Sequence, residues 1–126
     1  IIQSSLKYMD GNMDTLEFMK SLYRVLGDPT RLRIFDILMS GVHCNCEISE
    51  LTGLSDNLIS HHLKVLQEAN LVHSKRDEKD ARWIYYSVNE AEICQVQIQT
   101  QEFFNLNRTV KKDTMCGPKK NNIGDE

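Results

Sequence analysis

Apolar residues recur at three- and four-residue spacing over most of this chain, which is the pattern of amphipathic helices. The clearest case follows Ser55, a good N-cap, and a shorter helix before it ends at Gly53. Two short helices joined by a tight turn are typical of a helix-turn-helix. The residues predicted to face a core are Leu58, Ile59, His62, Leu63 and Leu66.

The opposite side of this second helix is small, polar and able to form hydrogen bonds. Such a surface suits contact with base edges in a DNA major groove. An ordinary solvated helix face is the alternative, and the flanking segments favour DNA. The side chains predicted to face outward are Asp56, Asn57, Ser60, His61 and Lys64.

Three more helices are predicted around this pair. The first begins with Asp14 as its cap and ends at Gly27, with an apolar stripe that includes Leu16 and Tyr23. The second starts at Asp28-Pro29, with Leu32, Phe35, Leu38 and Met39 facing inward, and ends at Ser40-Gly41. The last is capped by Asn89 and extends from about residue 90 to residue 106.

Residues 71–76 and 82–88 have the strand propensity of a β-hairpin, and residues 77–81 form its polar turn. A hairpin directly after a helix-turn-helix is a wing. The chain is therefore predicted to be mainly α with a β-hairpin wing (α+β), in the order α-α-α-α-β-β-α. We expect an N-terminal arm at 1–13, the winged helix-turn-helix domain at 14–106, and a flexible tail at 107–126 that carries Cys116.

The predicted DNA contacts combine the outward helix face with the cations of the wing. Asn57, Ser60 and His61 are expected at bases or sugars, and the cations at phosphates. Arg31 and Arg33 fit either a phosphate contact or a solvated pair. The predicted phosphate contacts are Lys64, Lys75, Arg76 and Arg82.

The net charge constrains this interpretation. A formal charge of -3 on a chain of 126 residues is not that of a protein that binds nucleic acid through its overall charge. Affinity for DNA must come from local placement of cations and from doubling in a dimer. There is no apolar run long enough for a membrane span, and the first residues lack a signal-peptide pattern. We expect a cytoplasmic protein with no membrane partner and no small-molecule substrate, whose four cysteines are thiols.

Cys44 and Cys46 are the candidate chemistry, because they lie one residue apart at a predicted helix start. With Asn45 as the cap, Cys44 would precede the helix and could turn back, so that both sulfurs converge on one ion. A helix N-terminus lowers a thiol pKa and favours the thiolate that metals need. The alternative is a pair of small buried residues.

The order of the elements, with four stretches of sequence, resembles the ArsR/SmtB family of metal-responsive repressors from about residue 16 to residue 106. The resemblance implies a winged-helix homodimer whose first and last helices form the interface. It also implies an operator on double-stranded DNA that the protein leaves when an inducer binds. The stretches are residues 26–34 (LGDPTRLRI), 58–66 (LISHHLKVL), 68–72 (EANLV) and 82–88 (RWIYYSV).

The family's thiolate sites often use a Cys-x-Cys at the start of the third helix, which Cys44 and Cys46 match. The arsenic-sensing pattern adds a third cysteine where this chain has Ser49, so the third ligand must come from elsewhere. No histidine follows His73, which removes the family's zinc-type site on the last helix.

For the third ligand we favour Cys116 over Cys94 on the last helix; His43 or a residue missing from the N-terminus are further options. Three thiolates favour trivalent arsenic or antimony as inducer, or alternatively cadmium or lead.

Other functions use the same cysteines. A redox or persulfide switch would take Cys94 or Cys116 as a resolving partner for the pair. A structural zinc site is a further option. A thiol oxidoreductase is disfavoured because the chain has no Cys-x-x-Cys on a βαβ pattern, so we expect no enzyme.

Overall fold

The computed structural model describes residues 12–109 and 114–118. Within them the order is α-α-β-α-α-β-β-α, a mainly α winged helix-turn-helix as predicted, with one additional short strand. The elements are α1 (Asn12–Leu26), α2 (Pro29–Met39), β1 (His43–Cys44), α3 (Asn45–Thr52), α4 (Asp56–Glu68), β2 (Val72–Arg76), β3 (Ile84–Val88), α5 (Glu90–Phe103) and a 3₁₀ turn (Leu106–Arg108).

Local capping chemistry explains most of the helix boundaries. The Asp28 carboxylate accepts the N–H of Arg31 at 3.0 Å, and the Ser55 hydroxyl accepts the N–H of Leu58 at 3.2 Å. Gly53 ends α3 in the left-handed region, at a φ of 74°, which glycine adopts without strain. Two predicted caps are wrong: α1 already begins at Asn12, before Asp14, and the N-cap of α3 is Cys44 because Asn45 is itself helical.

The core lies between the helices and is formed by their apolar stripes. Each fully buried Leu or Ile contributes about 1.5–3 kcal/mol of hydrophobic stabilisation. Leu58, predicted to face inward, is 40% exposed, and Leu32 and Met39 at the margins of α2 are about half exposed. The residues with the least exposure are Met19, Ile34, Leu38, Ile48, Ile59, Leu63 and Leu66.

The three strands form one antiparallel sheet in the order β1-β3-β2. The hairpin register pairs Val72 with Val88 and Arg76 with Ile84. Strand β1 pairs with the far side of β3, with His43 opposite Tyr86 and Cys44 opposite Tyr85. The sheet therefore connects the cysteine segment directly to the wing.

The ends of the chain are described only in part. Most of the predicted arm lies outside the described residues, and residues 12 and 13 belong to α1. Helix α5 ends at Phe103, three residues before the predicted boundary. Of the predicted tail, residues 107–109 and 114–118 are described, and Gly117 has a φ of 77° beside Cys116. No helix among the described residues is long and apolar enough to cross a membrane.

Candidate functional site

The start of α3 brings two thiols together. The Sγ atoms of Cys44 and Cys46 are 2.8 Å apart, with Cys44 buried and Cys46 exposed. The separation is longer than the roughly 2.05 Å of a disulfide, so both are free thiols. Because Cys44 is in the extended N-cap position, its side chain turns back towards the first helical turn. The sulfurs are therefore close enough to bind one soft ion together.

Glu47 fixes the start of α3 through a hydrogen bond to the backbone of Cys44. Its Oε1 accepts the backbone N–H of Cys44 at 2.9 Å, which is one half of a capping box and lowers the pKa of the Glu47 carboxyl. Burial raises the pKa of the Cys44 thiol, and its hydrogen bond with Cys46 raises that pKa further. The expected lowering of the thiol pKa is therefore wrong for Cys44, since desolvation of the charged form outweighs the helix terminus.

Asn45, between the two cysteines, contacts the helix that carries the predicted base readers. Its Nδ2 donates to the hydroxyl of Ser60 on α4 at 3.0 Å. Beside the thiols is a cleft of about 310 Å³, which is lined by α3, α4 and the start of β3 and includes Ser60, Arg82 and Trp83. The cysteine pair is thus adjacent to both parts of the predicted DNA surface.

The other candidate ligands do not join the pair. Cys94 on α5 and Cys116 are both exposed. Within the described ranges, no three His, Cys, Asp or Glu side chains are arranged to hold a metal ion. His43 uses Nδ1 to hydrogen-bond the carbonyl of Gly41 at 2.7 Å. Cys116 therefore remains a predicted third ligand that would have to approach the pair.

The outward face of α4 is exposed as predicted. Asn57, Ser60, His61 and Lys64 are all on the solvent side, whereas His62 is 5% exposed. Adjacent histidines therefore belong to opposite faces of the same helix. The predicted readers are accessible to a groove without any change in the fold.

The buried face of α4 contains a polar cross-link that the apolar spacing of this helix did not predict. Arg31 donates through Nε to the carbonyl of Val25 at 2.6 Å and through Nη1 to Nδ1 of His62 at 3.2 Å. Because a guanidinium group has only hydrogen-bond donors, Nδ1 of His62 must be the acceptor. In this contact Nδ1 therefore carries no proton, and the imidazole is neutral. Burial lowers the pKa of His62, and the charges of Arg31 and His61 lower it further, while Asp28 acts in the opposite direction.

Arg31 is therefore neither of the predicted alternatives, a phosphate contact or a solvated cation. Arg33 is exposed, but its Nη2 donates to the carbonyl of Leu51 at 3.2 Å, which joins α2 to α3. The only sequence signal for the Arg31 cross-link is a histidine at a core position of the amphipathic pattern, since a buried imidazole needs a hydrogen-bond partner.

The tip of the wing holds its cations with local contacts. Arg82 forms a two-pronged ion pair with Asp80, with distances of 3.0 Å for Nε–Oδ1 and 2.8 Å for Nη2–Oδ2. Arg76 donates to the carbonyl of Ala81 at 2.6 Å. Asp77 accepts the N–H groups of Lys79 and Asp80 at 2.9 Å each, so it shapes the turn. Lys75 is exposed on β2.

Comparison with known proteins shows which family this chain resembles. Residues 28–74 match the family described as bacterial regulatory protein, arsR family. The transcriptional repressor SdpR of Bacillus subtilis is 35% identical over 71 residues, covering 56% of this chain and 76% of SdpR. The arsenical resistance operon repressor of Staphylococcus aureus is 31% identical over 101 residues, covering 79% of this chain and 93% of the repressor.

Solved structures agree with these relatives. A possible transcriptional regulator for arsenical resistance superposes with a TM-score of 0.56 at 28% identity, over 71% of this chain and 95% of the other. An ArsR-like transcriptional regulator from Rhodococcus sp. RHA1 gives a TM-score of 0.61 at 26% identity, over 75% and 85% of the two chains. This chain therefore belongs to the ArsR family of helix-turn-helix transcriptional repressors, which bind DNA and are not enzymes.

Proposed function

We propose that this protein represses transcription by binding an operator and is released when a thiophilic metalloid or metal binds Cys44 and Cys46. The observation that carries the proposal is the 2.8 Å separation of the two sulfurs at the start of the helix-turn-helix. Thiolates select soft ions, which favours trivalent arsenic or antimony, with cadmium and lead as alternatives. The names of relatives agree with this range, since they include arsenical resistance repressors and a cadmium resistance regulatory protein.

The DNA-bound form in this proposal is a homodimer. Helices α1 and α5 lie side by side and expose apolar side chains that a second copy would cover. Two recognition helices related by a twofold axis would then read half-sites about one DNA turn apart. The exposed apolar residues on or beside these helices are Leu16, Tyr23, Ile98, Phe104 and Leu106.

DNA recognition is assigned to the outward face of α4 and to the wing. Asn57, Ser60 and His61 would contact bases or sugars. Lys64, Lys75, Arg76 and Arg82 would contact phosphates. Their exposure on one helix face and one adjacent hairpin supports this assignment.

Cys116 is proposed as the third thiolate and Cys94 as uninvolved. The Gly117 turn lies next to Cys116, so a short tail segment could present its sulfur to either subunit. Binding deprotonates the thiols, because the thiolate is the metal ligand.

A redox switch is a second candidate, because thiols at 2.8 Å are also positioned to form a disulfide when an oxidant removes two electrons and two protons. The two functions predict different triggers. Arsenite under full reduction releases DNA only in the first, and an oxidant alone releases DNA only in the second.

The deciding experiment is operator binding of the reduced protein, titrated in turn with arsenite, antimonite, cadmium, lead and zinc. We expect arsenite or antimonite to release DNA, with zinc ineffective. Cys44→Ser and Cys46→Ser are expected to bind the operator normally but to stay bound with arsenite. Cys116→Ser would respond more weakly, because two thiolates still hold the ion, and Cys94→Ser would match the unmutated protein.

Two results would contradict parts of this proposal. Normal release by Cys44→Ser and Cys46→Ser would remove the pair as the sensing site. Loss of response in Cys94→Ser, with a normal response in Cys116→Ser, would move the third ligand to α5.

A further inference from the structure

Asn45 is the residue between the two cysteines, and only one of its two side-chain amide atoms has a hydrogen-bond partner among the described residues. Its Nδ2 donates to Ser60 Oγ at 3.0 Å, while its Oδ1 is buried and has no hydrogen-bond partner among the described residues. A hydroxyl can donate or accept, so exchanging the two amide atoms would keep one bond and leave the nitrogen unpaired instead. In either orientation, one buried amide atom is unpaired.

An unpaired buried polar atom costs free energy comparable to what the amide gains from its hydrogen bond. The orientation of Asn45 that bonds to Ser60 is therefore close in free energy to orientations in which the unpaired amide atom gains a protein partner or water. A small displacement of the backbone at Asn45 can then shift the equilibrium.

The cysteines supply that displacement if they bind an ion. Cys44 is fixed by its pairing with Tyr85 of β3 and by the Glu47 carboxylate, whereas Cys46 is exposed in the first turn of α3. Joining both sulfurs to one ion constrains the peptide units on each side of Asn45. Ser60 lies on the neighbouring helix α4, which carries neither cysteine.

We propose that Asn45 couples the cysteine site to the DNA-reading helix, and that its bond to Ser60 is lost when an inducer binds Cys44 and Cys46. This inference rests on the proposed function and adds its route of regulation. The bond orients Ser60 and the N-terminal half of α4 for DNA. Its loss frees both, and the operator affinity falls.

The test separates inducer binding from DNA release. Trp83 is the single tryptophan of the chain and lines the cleft next to both cysteines, so its fluorescence reports arsenite binding without DNA. Operator affinity, measured by anisotropy with and without arsenite, gives the coupling ratio. Couplings between sites typically lie at roughly 5- to 150-fold.

We expect Asn45→Ala to bind arsenite with an unchanged Trp83 titration but to lower the coupling ratio by about 2- to 10-fold, the range for one hydrogen bond. Ser60→Ala removes the other partner and is expected to lower the ratio by a similar factor. The double variant is expected to show no further loss, because both changes break the same bond. Asn107→Ala, at an exposed asparagine in the 3₁₀ turn, serves as the control with a normal ratio.

A normal coupling ratio in Asn45→Ala, or additive losses in the double variant, would overturn the inference and leave the proposed function intact. Failure of the unmutated protein to release DNA with arsenite would overturn both. Ser60→Ala keeps the test decisive if Asn45→Ala does not fold, because either partner alone breaks the bond.

Discussion

The two faces of helix α4 are held in opposite ways. Its buried face is anchored by Arg31, which joins His62 to the end of α1 through two hydrogen bonds of 3.2 and 2.6 Å. Its exposed face has two described side-chain hydrogen bonds with other elements, both of 3.0 Å: one joins Asn45 to Ser60, and the other joins Gln67 to Ser74 of β2. The difference indicates that stability is concentrated on the buried face, while the exposed face remains free to respond to DNA and to the cysteine site.

The strongest test of this separation is Arg31→Met. We expect the free energy of unfolding to fall by about 2–3 kcal/mol, because His62 and the carbonyl of Val25 would lose their donor. Urea denaturation followed by circular dichroism measures this change. Arg33→Met is the matched control and is expected to cost about 1 kcal/mol or less, since Arg33 is exposed and its bond goes to Leu51. Equal losses in both variants would mean that the buried cross-link has no special importance.

The reverse test is His61→Ala on the exposed face. We expect discrimination between operator and random DNA to fall by about 1–3 kcal/mol, because a base contact is lost. The free energy of unfolding is expected to change by less than about 0.5 kcal/mol, as for most surface substitutions. Competition binding with both DNAs measures the first quantity. His73→Ala, at an exposed histidine of β2, is the control, and unchanged discrimination in His61→Ala would exclude His61 as a reader.

Lowering the pH is expected to destabilise the buried face less than Arg31→Met does. Burial lowers the pKa of His62 below that of the unfolded chain, so the unfolded state takes up the proton first as pH falls. The contribution of His62 is fully present above the unfolded pKa of about 6.5 and is lost as pH falls towards the folded pKa. Urea denaturation between pH 7 and pH 5 is expected to show a steeper loss for the unmutated protein than for His62→Gln. Equal slopes would show that another group controls this range.

The smallest expected effect concerns the wing. Arg82→Ala is expected to weaken binding to all DNA sequences alike and to reduce the salt slope by about one unit or less. The reduction is small because Asp80 already balances part of the guanidinium charge. Binding to operator and random DNA at several salt concentrations measures it, with Lys20→Ala on α1 as the control. A large loss of discrimination in Arg82→Ala would give the wing a role in reading bases.

Features fixed by neighbours in sequence could be predicted, and features fixed by distant partners could not. The caps at Asp28 and Ser55 and the end of α3 at Gly53 are local, and all three are confirmed. Strand β1 was missed because two residues carry no periodic pattern and their partner strand begins some forty residues later.

The errors within the helices have a similar cause. Spacing identified the apolar stripe of α4, but neighbouring elements leave Leu58 at its margin 40% exposed. In the candidate site, the Cys-x-Cys spacing predicted the convergence of the sulfurs, because that geometry is local. The raised pKa of Cys44 depends on the burial of its side chain and on its hydrogen bond with Cys46, and it could not be predicted from the helix start.

The nearness of the two cysteines in sequence also affects how an inducer would change the folding equilibrium. A ligand stabilises a protein only to the extent that it prefers the folded chain to the unfolded one. Because one residue separates Cys44 from Cys46, an unfolded chain keeps both thiols within reach of one ion. It therefore loses little of the affinity that binding through two sulfurs provides. The fold would therefore add little to the capture of the ion, and its main contribution would be to transmit that capture to α4 and the wing.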